Sequence, residues 1–184
     1  MRITGGLYRG RTILCPPGEI RPAMDRMRES LFSILGDISQ APFLDLFSGS
    51  GLVGIEAASR GAQPVHLVEL DAGKKATILK NIQFVETEIH LFITNVLRFI
   101  PQAKQQYEIV YADPPFPMKK KTQLAELVAK HNILTLGGLF IIHYPAEEQS
   151  QWPTTIGTMH CIDERKYGRS LLRFYKEEGT FHAD

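Results

Sequence analysis

From residue 43 onwards, short apolar runs alternate with amphipathic stretches. Five runs have the composition of buried strands: FLDLF (43–47), VHLVEL (65–70), IHLFI (89–93), YEIVYA (107–112) and LFIIHY (139–144). The stretches between them are helix-like and cover residues 51–60, 72–85, 96–104 and 119–131. Strands this apolar, separated by single helices, predict a parallel sheet that is covered on both faces.

Two strand-like runs near the end of the chain have no helix between them. They are TIGTMHCI (155–162) and SLLRFYK (170–176), and they predict an antiparallel hairpin that closes one edge of the sheet. Together with the five runs above, they predict an α/β protein with a Rossmann-like, mostly parallel sheet of seven strands and helices on both faces.

The first 41 residues follow a different pattern. The opening RITGGLYRGRTIL predicts a short hairpin around a glycine-rich turn. Apolar residues at helical spacing predict a helix from about Ala23 to Leu35, with Gly36 as its stop signal. We therefore expect a small extension of hairpin and helix in residues 1–41, followed by the main domain in residues 42–184.

Length and composition fit this picture and exclude several classes of protein. The chain has 184 residues, of which 43% are hydrophobic and 22% charged, as in an ordinary globular protein. It contains no run of about 18 apolar residues, so no membrane span is expected. Cys15 and Cys161 form no CxxC pair, and no apolar signal segment follows the first residues. We expect reduced thiols, a cytoplasmic location and, by default, a monomer.

The six histidines show no spacing typical of metal ligands, and no metal site is predicted. His66 and His90 fall within strands and His143 lies near a strand end. We expect all three to be structural residues.

A glycine-rich turn follows the first strand of the alternation. Gly49, Gly51 and Gly54 fit the GxGxxG pattern, and the acidic residue Glu69 ends the next strand. Glycines allow a ligand to approach the backbone closely, and the start of the following helix offers free N–H groups. An acid in this position accepts hydrogen bonds from two ribose hydroxyls. The arrangement predicts a site for an adenine nucleoside.

Asp45, within the first strand, indicates which adenine-containing cofactor binds. Dehydrogenase strands at this position are usually apolar throughout, and an ionised carboxylate buried without a partner is costly. A cationic ligand such as S-adenosylmethionine, with its sulfonium and amino groups, removes much of that cost. The alternative is a structural aspartate that caps the glycine-rich turn.

The fourth strand ends in the segment Asp113-Pro114-Pro115-Phe116. The two prolines fix the backbone, and Phe116 offers a flat face on which a base can stack. The carboxylate of Asp113 and the carbonyl of Pro114 are two acceptors for the two hydrogens of an exocyclic amine. Held in this way, the amine turns its lone pair towards an electrophile.

At this point the motifs resemble a known family. DLFSGSG followed by DPPF is similar to the class I S-adenosylmethionine-dependent amino-methyltransferases. The resemblance is closer still to the RsmD family, bacterial enzymes that methylate N2 of a guanine in small-subunit (16S) ribosomal RNA. It extends over RITGGLYRGR, RPAMDRMRESLFSIL, FLDLFSGSGLVGIEAASRGA and YADPPF, and so over nearly the whole chain. The first two segments are the most diagnostic.

The resemblance implies a site for S-adenosylmethionine and a site for guanine. The implied cofactor residues lie at and after the ends of the first three strands: Asp45, Phe47, Ser48, Gly49, Ser50, Gly51, Glu69, Leu70, Asn95 and Val96. Asn95 stands where members of the family commonly carry an acid, and its oxygen can still accept a hydrogen bond from the adenine amine. The implied catalytic residues, which hold the guanine, are Asp113, Pro114, Pro115 and Phe116.

The resemblance also implies small-subunit ribosomal RNA, or the 30S particle, as partner. Residues 1–30 carry six arginines against three acidic residues, although the net charge of the chain is only +1. Basic residues there and just after DPPF suit phosphate contacts. The residues expected to contact RNA are Arg2, Arg9, Arg11, Arg21, Arg26, Arg28, Lys119, Lys120 and Lys121. For the three lysines, a solvated helix face is the alternative.

Two other classes of protein share parts of the pattern. An N6-adenine methyltransferase acting on DNA or RNA uses the same DPPF loop and the same cofactor site. A dinucleotide-binding oxidoreductase or sensor shares the glycine-rich turn but has no need of residues 113–116. The nucleoside that is methylated, and the cofactor that binds, distinguish these alternatives.

Overall fold

The computed structural model describes residues 1–15 and 22–179. The chain divides into two units, residues 1–95 and residues 96–184. This division falls inside the predicted main domain, so the predicted boundary between residues 41 and 42 stays a prediction.

The first unit alternates helices and strands. Its elements are α1 (Pro22–Leu35), β1 (Phe43–Asp45), α2 (Leu52–Ser59), β2 (Val65–Glu69), α3 (Lys75–Ile82) and β3 (Ile89–Ile93). The three strands are parallel, in the order β3-β2-β1. Every residue of β1 and β2 is buried, as expected for strands that are covered on both faces. Since parallel strands end at one edge, Asp45 and Glu69 lie at the same edge of this sheet.

Residues 1–15 form the expected hairpin as a short loop that packs on the end of α2. An antiparallel bridge joins Arg2 to Thr12. At the tip, the backbone N–H of Leu7 donates to the carbonyl oxygen of Ser59 at 2.7 Å. Gly6 has a φ of +76°, and a Cβ at this position would lie 1.8 Å from the same oxygen. Only glycine fits there, because the approach to α2 leaves no room for a side chain.

A buried ionic cluster ties the hairpin and α1 to α2. Its centre is the carboxylate of Glu56, which is fully buried. Arg28 Nε lies 3.1 Å from Glu56 Oε2, and Arg60 Nη2 lies 2.9 Å from Oε1. Thr4 donates both its backbone N–H and its hydroxyl to the same carboxylate. Because each charge has its counter-charge and hydrogen bonds, the cluster holds together three separate segments of the first unit.

The second unit contains the remaining strands. Its elements are α4 (Val96–Phe99), β4 (Tyr107–Ala112), α5 (Lys121–Lys130), β5 (Leu134–Pro145), β6 (Thr155–Ile156), β7 (Met159–Tyr167) and β8 (Ser170–Glu177). The strand order is β4-β5-β8-β7-β6. β4 and β5 are parallel, whereas β8, β7 and β6 are added antiparallel.

The α/β class and the closing antiparallel hairpin are confirmed, with eight strands in the described residues where seven were predicted. The additional strand arises because the run 155–162 divides at Gly157, which has a φ of +59°. β6 ends before this turn and β7 begins after it. The connection between β7 and β8 is short, because β7 continues to Tyr167 and β8 begins at Ser170. Within residues 1–15 and 22–179, no helix is long and apolar enough to cross a membrane.

Candidate active site

The glycine-rich turn between β1 and α2 is formed largely by backbone groups. Gly49 has a φ of +56°, and no described atom lies within 4 Å of the position where its Cβ would be. Gly51 has a φ of +82° and faces the buried side chain of Leu67. Among the described residues, no side chain caps the start of α2 at Leu52. The first N–H groups of α2 and the open side of Gly49 are thus available to a ligand.

Glu69, the last residue of β2, supports this turn with its carboxylate. Oε2 accepts the backbone N–H of Gly49 at 2.8 Å, and Oε1 accepts that of Asp71 at 2.8 Å. Lys74 Nζ lies 3.9 Å from Oε2. A carboxylate has about four acceptor sites, so Glu69 can accept further hydrogen bonds from hydroxyl groups while it holds the turn.

The other residues of the turn are fixed by β2 and α3. The backbone N–H and the hydroxyl of Ser48 both donate to the carbonyl oxygen of Val68, at 3.0 and 3.3 Å. The Ser50 carbonyl accepts a hydrogen bond from the side chain of Asn81 at 2.9 Å. Asp45, immediately before the turn, is buried. The turn is therefore held at Ser48, Gly49 and Ser50, with Asp45 before it and the Glu69 carboxylate on the N–H of Gly49.

Nine of the ten predicted cofactor residues lie in the first unit. Phe47 and Asn95 are half-buried and Leu70 is exposed. The backbone N–H of Thr94 donates to the Glu69 carbonyl at 2.9 Å, so the end of β3 is joined to the end of β2 one residue before Asn95. Val96, the tenth, begins α4 in the second unit.

The groups that this turn offers fit one kind of ligand. An open glycine, free helix N–H groups and two acidic side chains fit an adenosine group that carries a cationic amino-acid tail.

Asp113, in the second unit, directly follows β4, and its partner comes from β5. The register pairs Ala112 with Ile142, which sets Asp113 beside His143. His143 Nδ1 lies 2.8 Å from Asp113 Oδ1. The histidine side chain is buried, whereas that of Asp113 is 22% exposed. One carboxylate oxygen is thus held by the protein while the group stays open to a substrate.

The three residues after Asp113 form the acceptor loop with it. Pro114 is buried, whereas Pro115 and Phe116 are exposed. The Phe116 ring centroid lies 5.5 Å from that of His143, with the planes inclined at 58°. An exposed aromatic ring that rests on a buried one keeps a free face on which a base can stack.

A buried lysine holds the far end of this loop. Lys121 Nζ donates to the carbonyl oxygens of Phe116 at 2.8 Å and Met118 at 2.9 Å. It also lies 2.7 Å from Glu148 Oε1, in the 3₁₀ turn that follows β5. All three hydrogens of the ammonium group are used. The Lys121 side chain is only 1% exposed. This burial disagrees with the predicted role of Lys121 in RNA binding.

The predicted RNA-contacting residues fall into three groups. Six are exposed: Arg2, Arg9, Arg11, Arg26, Lys119 and Lys120. Arg28 and Lys121 are buried and bound to Glu56 and Glu148, so neither presents its charge to a phosphate in this structure. Arg21 lies outside the described residues.

Three supporting residues of the acceptor loop were not identified from the sequence as such: His143, Lys121 and Glu148. His143 was expected to be structural, and Lys121 was assigned to RNA. The only sequence signal for His143 is that it is a polar residue near the end of an apolar strand. Whether it lies beside Asp113 depends on the register between β4 and β5. No group of acidic, histidine or cysteine residues that could hold a metal ion occurs in the described part of the chain.

The fold and the two loops define a class I methyltransferase, an S-adenosylmethionine-dependent enzyme. A glycine-rich turn follows β1, with Asp45 before it and the Glu69 carboxylate on the N–H of Gly49, and an Asp-Pro-Pro-Phe loop follows β4. The chain belongs to the family of ribosomal RNA small subunit methyltransferase D, the RsmD family. The family model that matches it, described as conserved hypothetical protein 95, covers residues 1–176.

Individual relatives match over almost their whole length. Ribosomal RNA small subunit methyltransferase D of Escherichia coli K12 is 32% identical over 188 residues, which cover 100% of this chain and 93% of that protein. The Haemophilus influenzae protein of the same name is 34% identical over 183 residues, with coverages of 96% and 93%. The solved structure of Escherichia coli yhhF matches with a TM-score of 0.86 at 31% identity, covering 98% of this chain and 99% of that one.

Proposed function

We propose that this protein transfers a methyl group from S-adenosylmethionine to the exocyclic N2 of a guanine in small-subunit ribosomal RNA. The observation that carries the proposal is the acceptor loop, in which Asp113 has one oxygen held by His143 and is still open to a ligand. Membership of the RsmD family supports the choice of nucleic acid, since relatives carry the name ribosomal RNA small subunit methyltransferase.

In the acceptor loop, Asp113 and the Pro114 carbonyl orient the amine. Asp113 Oδ2 accepts one N2 hydrogen and the Pro114 carbonyl accepts the other, while the Phe116 ring stacks on the base. Positioning of this kind is the main contribution an enzyme makes to an in-line displacement. As the N2–carbon bond forms, the bond between that carbon and the sulfonium sulfur would break, with neutral S-adenosylhomocysteine as the leaving group, and Asp113 Oδ2 would accept the proton that the amine loses.

In the first unit, the chain supplies the cofactor site. S-adenosylmethionine, when bound, supplies a methyl group that is already activated by its sulfonium. Asp45 and Glu69 offer negative charge and acceptors to the amino and ribose groups, and the open face of Gly49 allows close approach of the ligand to the backbone. Asn95 accepts a hydrogen bond from the adenine amine, while Leu70 contributes apolar contacts.

For the RNA, we propose phosphate contacts by two sets of exposed basic residues, one in the N-terminal extension and one beside the acceptor loop. These are Arg2, Arg9, Arg11, Arg26, Lys119 and Lys120. In this assignment residues 1–41 act as an RNA-contacting extension of the catalytic domain, residues 42–184. The RNA is free or assembled in the 30S particle, and the protein acts in the cytoplasm as a monomer.

The experiment that tests the proposal measures labelled methyl transfer. Purified protein and labelled S-adenosylmethionine are incubated with unmethylated small-subunit RNA, free and assembled, and with DNA, and the products are digested to nucleosides. We expect label in N2-methylguanosine. Label in N6-methyladenine would keep the cofactor and overturn the substrate, while cofactor binding without transfer to any of these substrates would exclude the proposed acceptor.

A further inference from the structure

His143 contacts two groups of the acceptor loop, the carboxylate of Asp113 and the ring of Phe116. Its Nδ1 lies 2.8 Å from Asp113 Oδ1, and its ring lies 5.5 Å from that of Phe116. The side chain is only 6% exposed, so solvent does not compete for it. His143, which the sequence predicts to be structural, therefore touches both groups that are proposed to hold the base.

The chemistry of the contact defines the tautomer. An ionised carboxylate only accepts hydrogen bonds, so Nδ1 carries the hydrogen that lies between His143 and Asp113. Nε2 is buried and has no hydrogen-bond partner in the described part of the chain. An N–H group at that position would be buried without an acceptor, which is unfavourable. Both observations favour the neutral ring with its hydrogen on Nδ1.

We propose that His143 is a positioning residue for methyl transfer, and this inference rests on the proposed function. By donating to Oδ1, it fixes the rotation of the Asp113 carboxylate and leaves Oδ2 for the amine of the base. Through its ring it sets the inclination of Phe116. Because a rotating carboxylate presents its acceptor in the right place only part of the time, loss of this bond lowers the rate of transfer more than the affinity for RNA.

A purely packing role predicts different behaviour. If His143 only filled space, leucine, which is apolar and similar in size, would serve as well, and Nε2 would no longer be buried without a partner. Asparagine would serve less well in that case, because it is smaller and polar. For positioning, the order is reversed, since the asparagine side-chain N–H₂ can take the place of Nδ1–H.

The activity test compares His143→Leu, His143→Asn and a matched control, His66→Leu. His66 is also buried in a strand, but its ring contacts are with His90 and Phe92. We expect His143→Leu to lower kcat about 10- to 100-fold, the range for a hydrogen bond to a charged group. The KM for RNA and the Kd for S-adenosylmethionine should change less than about threefold. His143→Asn should recover most of the rate, and His66→Leu should match the wild type.

A second measurement does not depend on activity. In nitrogen-15 NMR spectra of the wild-type protein, His143 should show a protonated Nδ1 and an unprotonated Nε2, and Asp113→Ala should shift the Nδ1 signal. A protonated Nε2 with a bare Nδ1 in the wild type, or full activity in His143→Leu, would overturn the inference. If the wild type methylates no RNA while the spectra agree, the proposed function fails and the Asp113 contact stands.

Discussion

The two loops present different groups to their ligands. The turn after β1 presents the open side of Gly49 and the first N–H groups of α2, and the Glu69 carboxylate supports it at the N–H of Gly49. The acceptor loop after β4 presents the Asp113 carboxylate and the Phe116 ring, with Asp113 bound by His143 and the Phe116 carbonyl by Lys121. A backbone-built site suits a cofactor that is the same in every turnover. A site built from side chains places single acceptor atoms, which the reacting amine requires.

The largest effect is expected at Asp113, because in the proposed function it contacts the reacting amine. Asp113→Ala should lower kcat by about a thousandfold or more, within the range measured for catalytic proton acceptors. Calorimetric titration should show an unchanged Kd for S-adenosylmethionine, since the cofactor residues are untouched. Transfer at the wild-type rate by this variant would remove Asp113 from the mechanism.

Glu69→Ala tests the other loop and should have the opposite profile. The variant removes the acceptor of the Gly49 N–H and the proposed acceptor of the ribose hydroxyls. We expect the Kd for S-adenosylmethionine to rise about 10- to 100-fold, the cost of a hydrogen bond to a charged group. At saturating cofactor, kcat should be near the wild-type value. Glu69→Gln, which keeps one side-chain oxygen, is the matched control and should have a smaller effect on the Kd.

The variant Lys121→Met tests whether the acceptor loop depends on the lysine that binds its far end, in addition to His143. Without the ammonium group, the carbonyls of Phe116 and Met118 lose their donor, and Glu148 loses its counter-charge. We expect kcat to fall about 10-fold, together with a lower melting temperature and an unchanged cofactor Kd. Glu148→Gln keeps an acceptor for the lysine and should be close to the wild type. A change in the cofactor Kd alone would contradict the assignment of cofactor binding to the turn after β1.

The smallest effect is expected at the hairpin surface. The double variant Arg9→Ala/Arg11→Ala should weaken RNA binding severalfold and reduce the salt dependence of binding by about 0.7–0.9 per lost phosphate contact. Neither kcat at saturating RNA nor the cofactor Kd should change. The control is Arg165→Ala/Lys166→Ala on β7, whose side chains are also exposed. Equal losses in the two double variants would mean that binding follows total charge and not the hairpin.

The comparison of the loops also explains what could be predicted from the sequence. A glycine-rich turn, a strand and an acid lie close together along the chain, so the cofactor loop was predicted from local pattern. The position of the Asp-Pro-Pro-Phe motif at the end of a strand was predicted for the same reason. Its supports were not, because His143 and Glu148 come from β5 and the turn after it, about 30 residues away. Which residues of β5 meet β4 depends on a register shift that periodicity does not reveal.

The same limit applied to basic residues. Charge and position predicted the arginines and lysines as one set, but burial divides them. Arg28 lies against Glu56, and Lys121 lies against Glu148. Neither pairing could be inferred from the sequence, since each joins residues that are distant along the chain. A charged side chain is available to RNA only where no such internal partner exists.

The buried carboxylate of Glu56 has a consequence for how tightly the hairpin binds RNA in the role proposed for it. Because Thr4, Arg28 and Arg60 all bind it, the hairpin is pre-organised before any RNA arrives. A flexible basic arm would lose conformational entropy worth about 1–2 kcal/mol for each residue that becomes ordered on binding. This hairpin has already lost that entropy during folding. In the proposed RNA-contacting role, a few exposed arginines are therefore sufficient, and the RNA has to fit their spacing.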